Sequence, residues 1–212
     1  MSVGRGALIV FEGCDRAGKS TQLKMLAEAL NKRNIPVEPR AFPNRTTAIG
    51  LMLNNFLSTK QELLPEVAHL LFSANRWECK DEMLDTLYSG TTLIVDRYAG
   101  SGAAYTAATS GRSLSWCKES DKGLPCPDLV ILFEVSEESQ RLRSNWGKER
   151  FENSKLQHQV ACNYRKLIDQ TWTVIDSNED KSLIHSQVLE KVLAVIKCVR
   201  HKPIQKLYES SN

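Results

Sequence analysis

Between Gly13 and Thr21 the chain reads "GCDRAGKST", a run whose glycines, lysine and hydroxyls can together hold a chain of phosphates. Gly13, Gly18, Lys19 and Ser20 satisfy the pattern G-x-x-x-x-G-K-[ST] in full. Glycines let successive backbone N–H groups converge on phosphate oxygens, and the first turn of a following helix adds its positive end. Lys19 is placed to bridge the β- and γ-phosphates and Ser20 to ligate Mg²⁺, with Ala17 and Thr21 completing the cradle. The loop reads as a nucleoside triphosphate site. Two of its variable positions carry opposite charges, Asp15 and Arg16. A carboxylate beside a polyphosphate is repelled by it, so Asp15 calls for a different ligand.

Four further clusters supply groups suited to a second ligand. "FPNRTTAIG" holds Phe42 and Arg45, and "FSANRWE" sets Phe72 and Arg76 at i, i+4 on one helical face. "VDRYAGSG" holds Asp96, Arg97 and Tyr98, and "ERFE" closes a charged stretch at 149–152. Aromatic faces stack on planar bases, and arginine binds phosphate bidentately or donates to base acceptors. Taken singly, Phe72 reads equally as core, Arg76 as a solvated side chain, Arg97 as a partner of Asp96 and Arg45 as a loop charge.

The elements that must position these groups are legible as alternation. "ALIVFE" (7–12), "VEPRAF" (37–42), "TTLIVD" (91–96), "DLVILFEV" (128–135) and "WTVID" (172–176) are apolar runs with little polar alternation, as in strands buried on both faces. Helical patterns lie between them at about 20–32, 46–58, 65–89, 101–109, 152–171 and 181–200. The pattern predicts an α/β fold, a parallel five-stranded sheet with helices on both faces. Ligands of such sheets bind at the carboxyl ends of the strands, where the first three strands deliver the phosphate cradle, then Phe42 and Arg45, then Asp96 and Arg97. The segment 136–150, polar and charged with Gly147 as a hinge, is expected to be a lid. Residues 1–212 are expected to form one domain.

Composition narrows the class without naming it. Apolar residues make up 42% of 212, charged residues 25%, and the net charge is +3, too slight to argue for nucleic acid or membrane partners. Six cysteines with no CxxC pair predict free thiols rather than a zinc site or disulfide scaffold. No signal-like segment or membrane-length apolar run occurs, so the chain reads as cytoplasmic, the nucleus included. The only N-K-x-D-like string, "NKRN", falls at the first helix rather than after a late strand, against a GTPase, and no HRD or DFG motif of a protein kinase is present.

"RGALIVFEG", "RAGKSTQ", "RTTAIG", "LLFSANRWE", "LIVDRYA" and "PDLVILF", in this order, resemble the thymidylate kinase family, P-loop nucleoside monophosphate kinases. The resemblance runs from Gly6 to about Phe151 and is weak beyond about 155. It implies ATP-dependent phosphorylation of dTMP to dTDP with Mg²⁺, and a homodimer for which the helix at 65–89 could supply the interface. Phe72 would stack on thymine, Arg76 would donate to a thymine carbonyl, and Arg45 and Arg97 would hold the dTMP phosphate. Phe42 and Phe151 would flank that ligand, Tyr98 would crowd the 2′ side of the sugar, and Gly102 and Tyr105 would line the base pocket. Asp15 would accept from the 3′-OH of dTMP, Arg16 would act on the transferred phosphoryl group, and Asp96 would orient Mg²⁺ through water. Among lid residues Arg141, Arg143, Lys148 and Arg150, Arg143 is the best placed to contribute to catalysis.

Three positions depart from the family pattern. Gly100 stands where relatives carry a bulky aromatic and is expected to loosen the turn after "DRY"; Phe151 lacks a tyrosine's hydroxyl; Tyr105 adds a polar tip to the pocket. Cys14, near a helix N-terminus and Lys19, is placed either for thiolate character or as a small filler. A deoxynucleoside kinase shares the loop and the strand-terminal Asp-Arg, but it phosphorylates a neutral hydroxyl, whereas Arg45 and Arg97 suit an acceptor already bearing phosphate. A non-catalytic nucleotide sensor is the third reading.

Overall fold

The strand β1 (Leu8–Gly13) is buried along its whole length, and its alternate side chains enter different cores. Ile9 and Phe11 pack with Leu26, Leu30, Val188 and Val192, while Leu8 and Val10 pack with Met83, Leu87, Leu93 and Val95. A strand covered on both faces in this way belongs in the middle of a parallel sheet. In the computed structural model, which describes residues 4–143 and 150–209, it does so. The order is β2 (Val37–Ala41), β3 (Thr92–Asp96), β1, β4 (Leu129–Glu134) and β5 (Trp172–Asp176), with every pairing parallel. The predicted five-stranded parallel sheet is present.

Helices α1 (Lys19–Asn31) and α9 (Lys181–Val199) cover one face. The other is covered by α4 (Lys80–Tyr88), α5 (Ala99–Ser110) and α8 (Ser154–Leu167), which carry Met83, Leu87, Ala103, Ala104, Val160 and Tyr164 into its cores. Outside these lie α2 (Ala48–Leu57) and α3 (Pro65–Glu78). The single helix expected over 65–89 is two, because the chain turns at Cys79 (φ −92°, ψ −4°), which ends α3 and begins α4. The helix expected over 152–171 stops at Leu167, where Ile168 leaves helical geometry at ψ 125°. Two short helices escaped the periodicity, α6 (Leu114–Glu119) and α7 (Glu137–Leu142), each six residues. Both are opened by serines whose hydroxyls accept from the third residue onward, Ser113 from Trp116 and Ser136 from Ser139. The expected lid thus begins as α7, whereas Gly147 and Lys148 fall outside the described residues. Among the described residues no helix is long and apolar enough to cross a membrane.

One buried carboxylate ties the central strand to the turn after β3. Phe11 lies opposite Asp96 in the ladder, so the tips of β1 and β3 end side by side. Glu12, 1% exposed, accepts from the backbone N–H of Tyr98 at 3.0 Å and of Ser101 at 2.9 Å, both at the start of α5. It also accepts from the Ser101 hydroxyl at 2.5 Å and the Tyr164 hydroxyl at 3.1 Å. A carboxylate at a helix N-terminus satisfies donors that have no intrahelical partner and faces the positive end of the dipole. Glu12→Ala would strand those donors in a dry interior. We expect a loss of about 3 kcal/mol, a fall in Tm of roughly 6–12 °C, and a smaller loss for Glu12→Gln. A Glu12→Ala melt within about 2 °C of the parent would contradict this account.

Candidate active site

The loop after β1 needs two residues in unusual backbone regions. Gly13 has φ 141°, and a Cβ there would lie 2.5 Å from the Phe133 carbonyl oxygen; Gly18 has φ 92°. Between them Arg16 takes φ 60°, a left-handed conformation that costs a side-chain-bearing residue free energy. The result is a turn in which neighbours face opposite ways. Asp15 lines one cavity of about 450 Å³, and Arg16 lines another of about 440 Å³.

The second cavity is formed by the loop that the sequence reads as a phosphate cradle. Ala17, Gly18, Lys19, Ser20 and Thr21 line it, with Arg143 above. Lys19 is 5% exposed, and its ammonium donates to the carbonyls of Gly13 at 3.1 Å and Cys14 at 2.7 Å. Burial, with help from the Arg97 charge, pulls its pKa down to about 8. Arg16 is braced by Glu152, which accepts from Nη2 at 2.7 Å. Arg143 follows α7 and donates to the backbone carbonyls of Arg16 and, at 2.7 Å, Ser177. Of the described part of the predicted lid, Arg143 touches the cradle, whereas Arg141 pairs with Glu137 at 2.9 Å and donates to the Ser154 hydroxyl at 3.1 Å.

Ser20 and Asp96 present a site for a hard cation. The Ser20 hydroxyl donates to Asp96 Oδ2 at 2.6 Å, while Asp96 Oδ1 is buried with no hydrogen-bond partner among the described residues. A buried, unpartnered carboxylate oxygen is costly unless a cation or water meets it. An all-oxygen pair beside a phosphate cradle suits Mg²⁺, which keeps several waters. The residues present fit that ion.

Arg97 lines the first cavity and binds the loop that borders the second. Like Arg16 it has a left-handed φ, 68°. It forms an ion pair with Asp15 and not, as one sequence reading allowed, with Asp96. Its Nη1 donates to the Gly13 carbonyl at 3.1 Å, and its guanidinium lies 5.3 Å from the centre of the Tyr105 ring. Gln157 of α8 completes the clamp: its Nε2 donates to Asp15 Oδ2 at 2.6 Å and its Oε1 accepts from the Asp15 N–H at 2.9 Å.

The first cavity gathers Phe42, Arg45, Phe72, Arg76, Tyr98, Gly102, Tyr105 and Phe151 beside Asp15 and Arg97, so the structure brings together every residue expected to meet a second ligand. Phe72, Phe56 and Phe151 form an edge-on aromatic wall. Arg45 donates to Asn54 Oδ1 at 2.9 Å. Arg76 is 2% exposed and held by Asp121 through Nε at 3.0 Å and Nη2 at 2.7 Å. Gly102 is required beside it, since a Cβ there would lie 2.7 Å from Arg76 Nη2. Tyr98 contributes its ring alone, because its hydroxyl donates to the Pro125 carbonyl at 3.2 Å. The Tyr105 hydroxyl is 3.4 Å from Gln157 Nε2, which places the added polar tip against the Asp15 clamp.

Two expectations are corrected here. Arg150, expected over the phosphate cradle, lines the other cavity instead; it pairs with Glu62 at 2.8 Å and donates to the Phe56 carbonyl at 2.8 Å. Gly100 does not loosen the turn: a Cβ there would meet Glu12 Oε1 at 2.8 Å and Trp172 at 3.0 Å, so the space is filled from β5. Of the two readings of Cys14 the small filler holds, because burial pushes its thiol up to about 11 against the opposing pull of Lys19. Sequence reasoning missed Gln157, Glu152 and Asp121. Gln157 had a signal: it sits on the buried stripe of α8 with Val160, Tyr164 and Leu167, where an amide must have a partner.

The low pKa of Lys19 has a measurable consequence. With the cradle free, the ammonium loses its proton above about pH 8, and a neutral amine cannot hold a phosphate chain. The kcat/KM for the triphosphate should fall about tenfold per pH unit above that point, while kcat, measured with the amine already facing phosphate, should fall later. A flat kcat/KM profile to about pH 9.5 would rule this out.

A family model described as thymidylate kinase matches residues 11–188. The thymidylate kinase of Arabidopsis thaliana is 42% identical over 97% of this chain and 78% of its own. That of Homo sapiens is 40% identical over 99% of this chain and 100% of its own. A solved thymidylate kinase structure from Candida albicans superposes with a TM-score of 0.87 at 32% identity, covering 96% of this chain and 99% of the other. The glycine-rich loop and the aromatic cavity lined by Arg45 and Arg97 thus occur in a chain that belongs to the thymidylate kinase family.

Proposed function

We propose that residues 1–212 form one domain in which the cradle binds ATP and the aromatic cavity binds dTMP, for Mg²⁺-dependent, in-line transfer of the γ-phosphoryl group to give dTDP. The chain is a thymidylate kinase, and dTMP phosphorylation is its reaction. The observation that carries the two-chamber reading is the divergence of Asp15 and Arg16, chain neighbours lining different cavities, with Arg97 paired to Asp15 on the first. Asp15 thereby faces a sugar hydroxyl donor rather than an anion, which removes the repulsion its position raised.

Each charge then has a target. Gly13, Ala17, Gly18 and Thr21 shape the cradle, and Lys19 holds the β- and γ-phosphates. Ser20, with Asp96 through water, would hold Mg²⁺, which supplies charge neutralisation at those phosphates. Arg16, released from Glu152, and Arg97 meet the transferred group from either side, and Arg143 closes over the donor. Arg45 and Arg97 hold the acceptor phosphate, Phe72 stacks on the base, Arg76 donates to its carbonyl edge, and Phe42, Tyr98, Tyr105 and Phe151 enclose the sugar and ring. No protein base is needed, since a phosphate monoester has a second pKa near 6 and its attacking oxygen is mostly deprotonated at pH 7. Positioning and charge stabilisation carry the rate.

The remaining expectations rest on less. The six free cysteines suit a cytoplasmic or nuclear setting. A homodimer is supported by the outer faces of α2 and α3, which leave Leu51, Met52, Val67 and Leu70 exposed. With α3 ending at Glu78, that face is shorter than the 65–89 helix implied.

An ADP-release assay across nucleoside monophosphates, with thymidine alongside, tests the acceptor assignment; the broad substrate specificity attributed to the Candida albicans relative makes the panel informative. We expect dTMP to lead and thymidine to be inert, and Arg97→Ala to lower kcat/KM for dTMP by about 10²-fold or more. Turnover of thymidine at a comparable rate would point to a nucleoside kinase, and binding of both nucleotides without dTDP to a sensor.

A further inference from the structure

One wall of the acceptor cavity carries a buried polar chain whose histidine none of the assigned roles uses. His69 on α3 is 1% exposed. Its Nδ1 is 2.9 Å from the Thr106 hydroxyl and its Nε2 is 3.0 Å from the Ser120 hydroxyl, while the ring lies tilted on Trp116 with centroids 5.2 Å apart. The next residue, Asp121, is fully buried and grips Arg76. Ser73 and Trp77 fasten the same turn by donating to the Ser120 carbonyl at 2.8 and 2.7 Å. One pair of residues, Ser120 and Asp121, therefore sets side chains that line the cavity, Arg76 and His69 directly and Thr106 through His69.

We propose that His69 is a positioning residue that fixes the Thr106 hydroxyl as a hydrogen-bond acceptor beside the Arg76 donor, so that the two together select a base edge carrying a carbonyl next to a ring N–H. The imidazole proton is assigned to Nε2, toward Ser120, so that Nδ1 accepts the Thr106 proton and leaves only lone pairs on the Thr106 oxygen facing the cavity. Burial lowers the pKa of His69, with Asp121 and the Gly102 backbone opposing and Arg76 assisting, which keeps the ring neutral and able to accept at one nitrogen. Thymine and uracil present a carbonyl beside N–H. Cytosine presents an amine beside an unprotonated ring nitrogen, so it sets donor against donor at Arg76 and acceptor against acceptor at Thr106. Buried polar groups left unpaired in this way are the strongest basis for rejecting an analogue.

The inference rests on the dTMP reading of the cavity, and the test separates the two. In the full-length protein, Thr106→Val removes the hydroxyl at constant volume, Thr106→Ser keeps it, and His69→Phe removes both ring contacts. We expect Thr106→Val to raise KM for dTMP about 5–10-fold, to cut the dTMP over dCMP preference by a similar factor, and to leave KM for ATP in place. Thr106→Ser should behave as the parent, and His69→Phe should match Thr106→Val with no further loss in the double variant. ¹⁵N NMR of the His69 ring should report the proton on Nε2. If Thr106→Val or His69→Phe lowers Tm yet leaves KM and selectivity unchanged, or if the proton sits on Nδ1, the proposal is overturned. Arg45→Ala serves as the control: if it raises KM for dTMP while Thr106→Val does not, only this inference falls. If neither variant does, the acceptor reading falls with it.

Discussion

The parallel pairing of β1 with β3 is the constraint on which the site depends. Because Phe11 lies opposite Asp96, the phosphate loop and the turn bearing Arg97 leave the sheet side by side. Glu12 then gathers the first N–H groups of α5, and the Gly13 carbonyl and Asp15 carboxylate hold the Arg97 guanidinium. Two strand tips become a single unit. That unit holds the strained conformation of Arg97, since a left-handed φ at a side-chain-bearing residue costs of order 1–3 kcal/mol and survives only where its surroundings over-determine it; Glu152 and Arg143 hold Arg16 in the same way.

The same unit solves an electrostatic problem. Lys19, Arg16, Arg97 and Arg143 converge on a small volume, and without anionic ligands their mutual repulsion must be absorbed. Each is met by an acceptor of the chain itself: Gly13 and Cys14 carbonyls for Lys19, Glu152 for Arg16, Asp15 for Arg97, and the Arg16 and Ser177 carbonyls for Arg143. The depressed pKa of Lys19 marks how far burial and neighbouring charge remain uncompensated. Phosphate oxygens arriving in the cradle would relieve that cost and take over those donors. Binding energy is thereby linked to charges already in position, which is the arrangement that favours a transition state over a ground state.

Much of this was legible in the sequence because it is local. The phosphate loop is a contiguous string, the strands are contiguous apolar runs, and Phe72 and Arg76 share a face through helical spacing alone. What failed was decided at long range or by single residues. The Cys79 break leaves no gap in the apolar pattern of 65–89, and α6 and α7 are too short for periodicity to register. Asp121, Glu152 and Gln157 meet their partners across 45, 136 and 142 residues, which no motif encodes. Cys14 left two local readings open, and burial that only the fold reveals decides for the small filler over thiolate character. Gly100 is similar, its open space in the sequence being closed by Trp172 from a strand 72 positions on.

The central claim is that two anionic ligands meet head-on at Arg97, one from each cavity. It is tested most directly by competition with a compound in which adenosine and thymidine are joined through a chain of phosphates. The account predicts inhibition competitive with both ATP and dTMP, tighter than either nucleotide binds, and strongly weakened by Arg97→Ala. Competition against ATP alone, with dTMP still binding alongside, would mean that the cavities do not open onto one another and that the account is wrong.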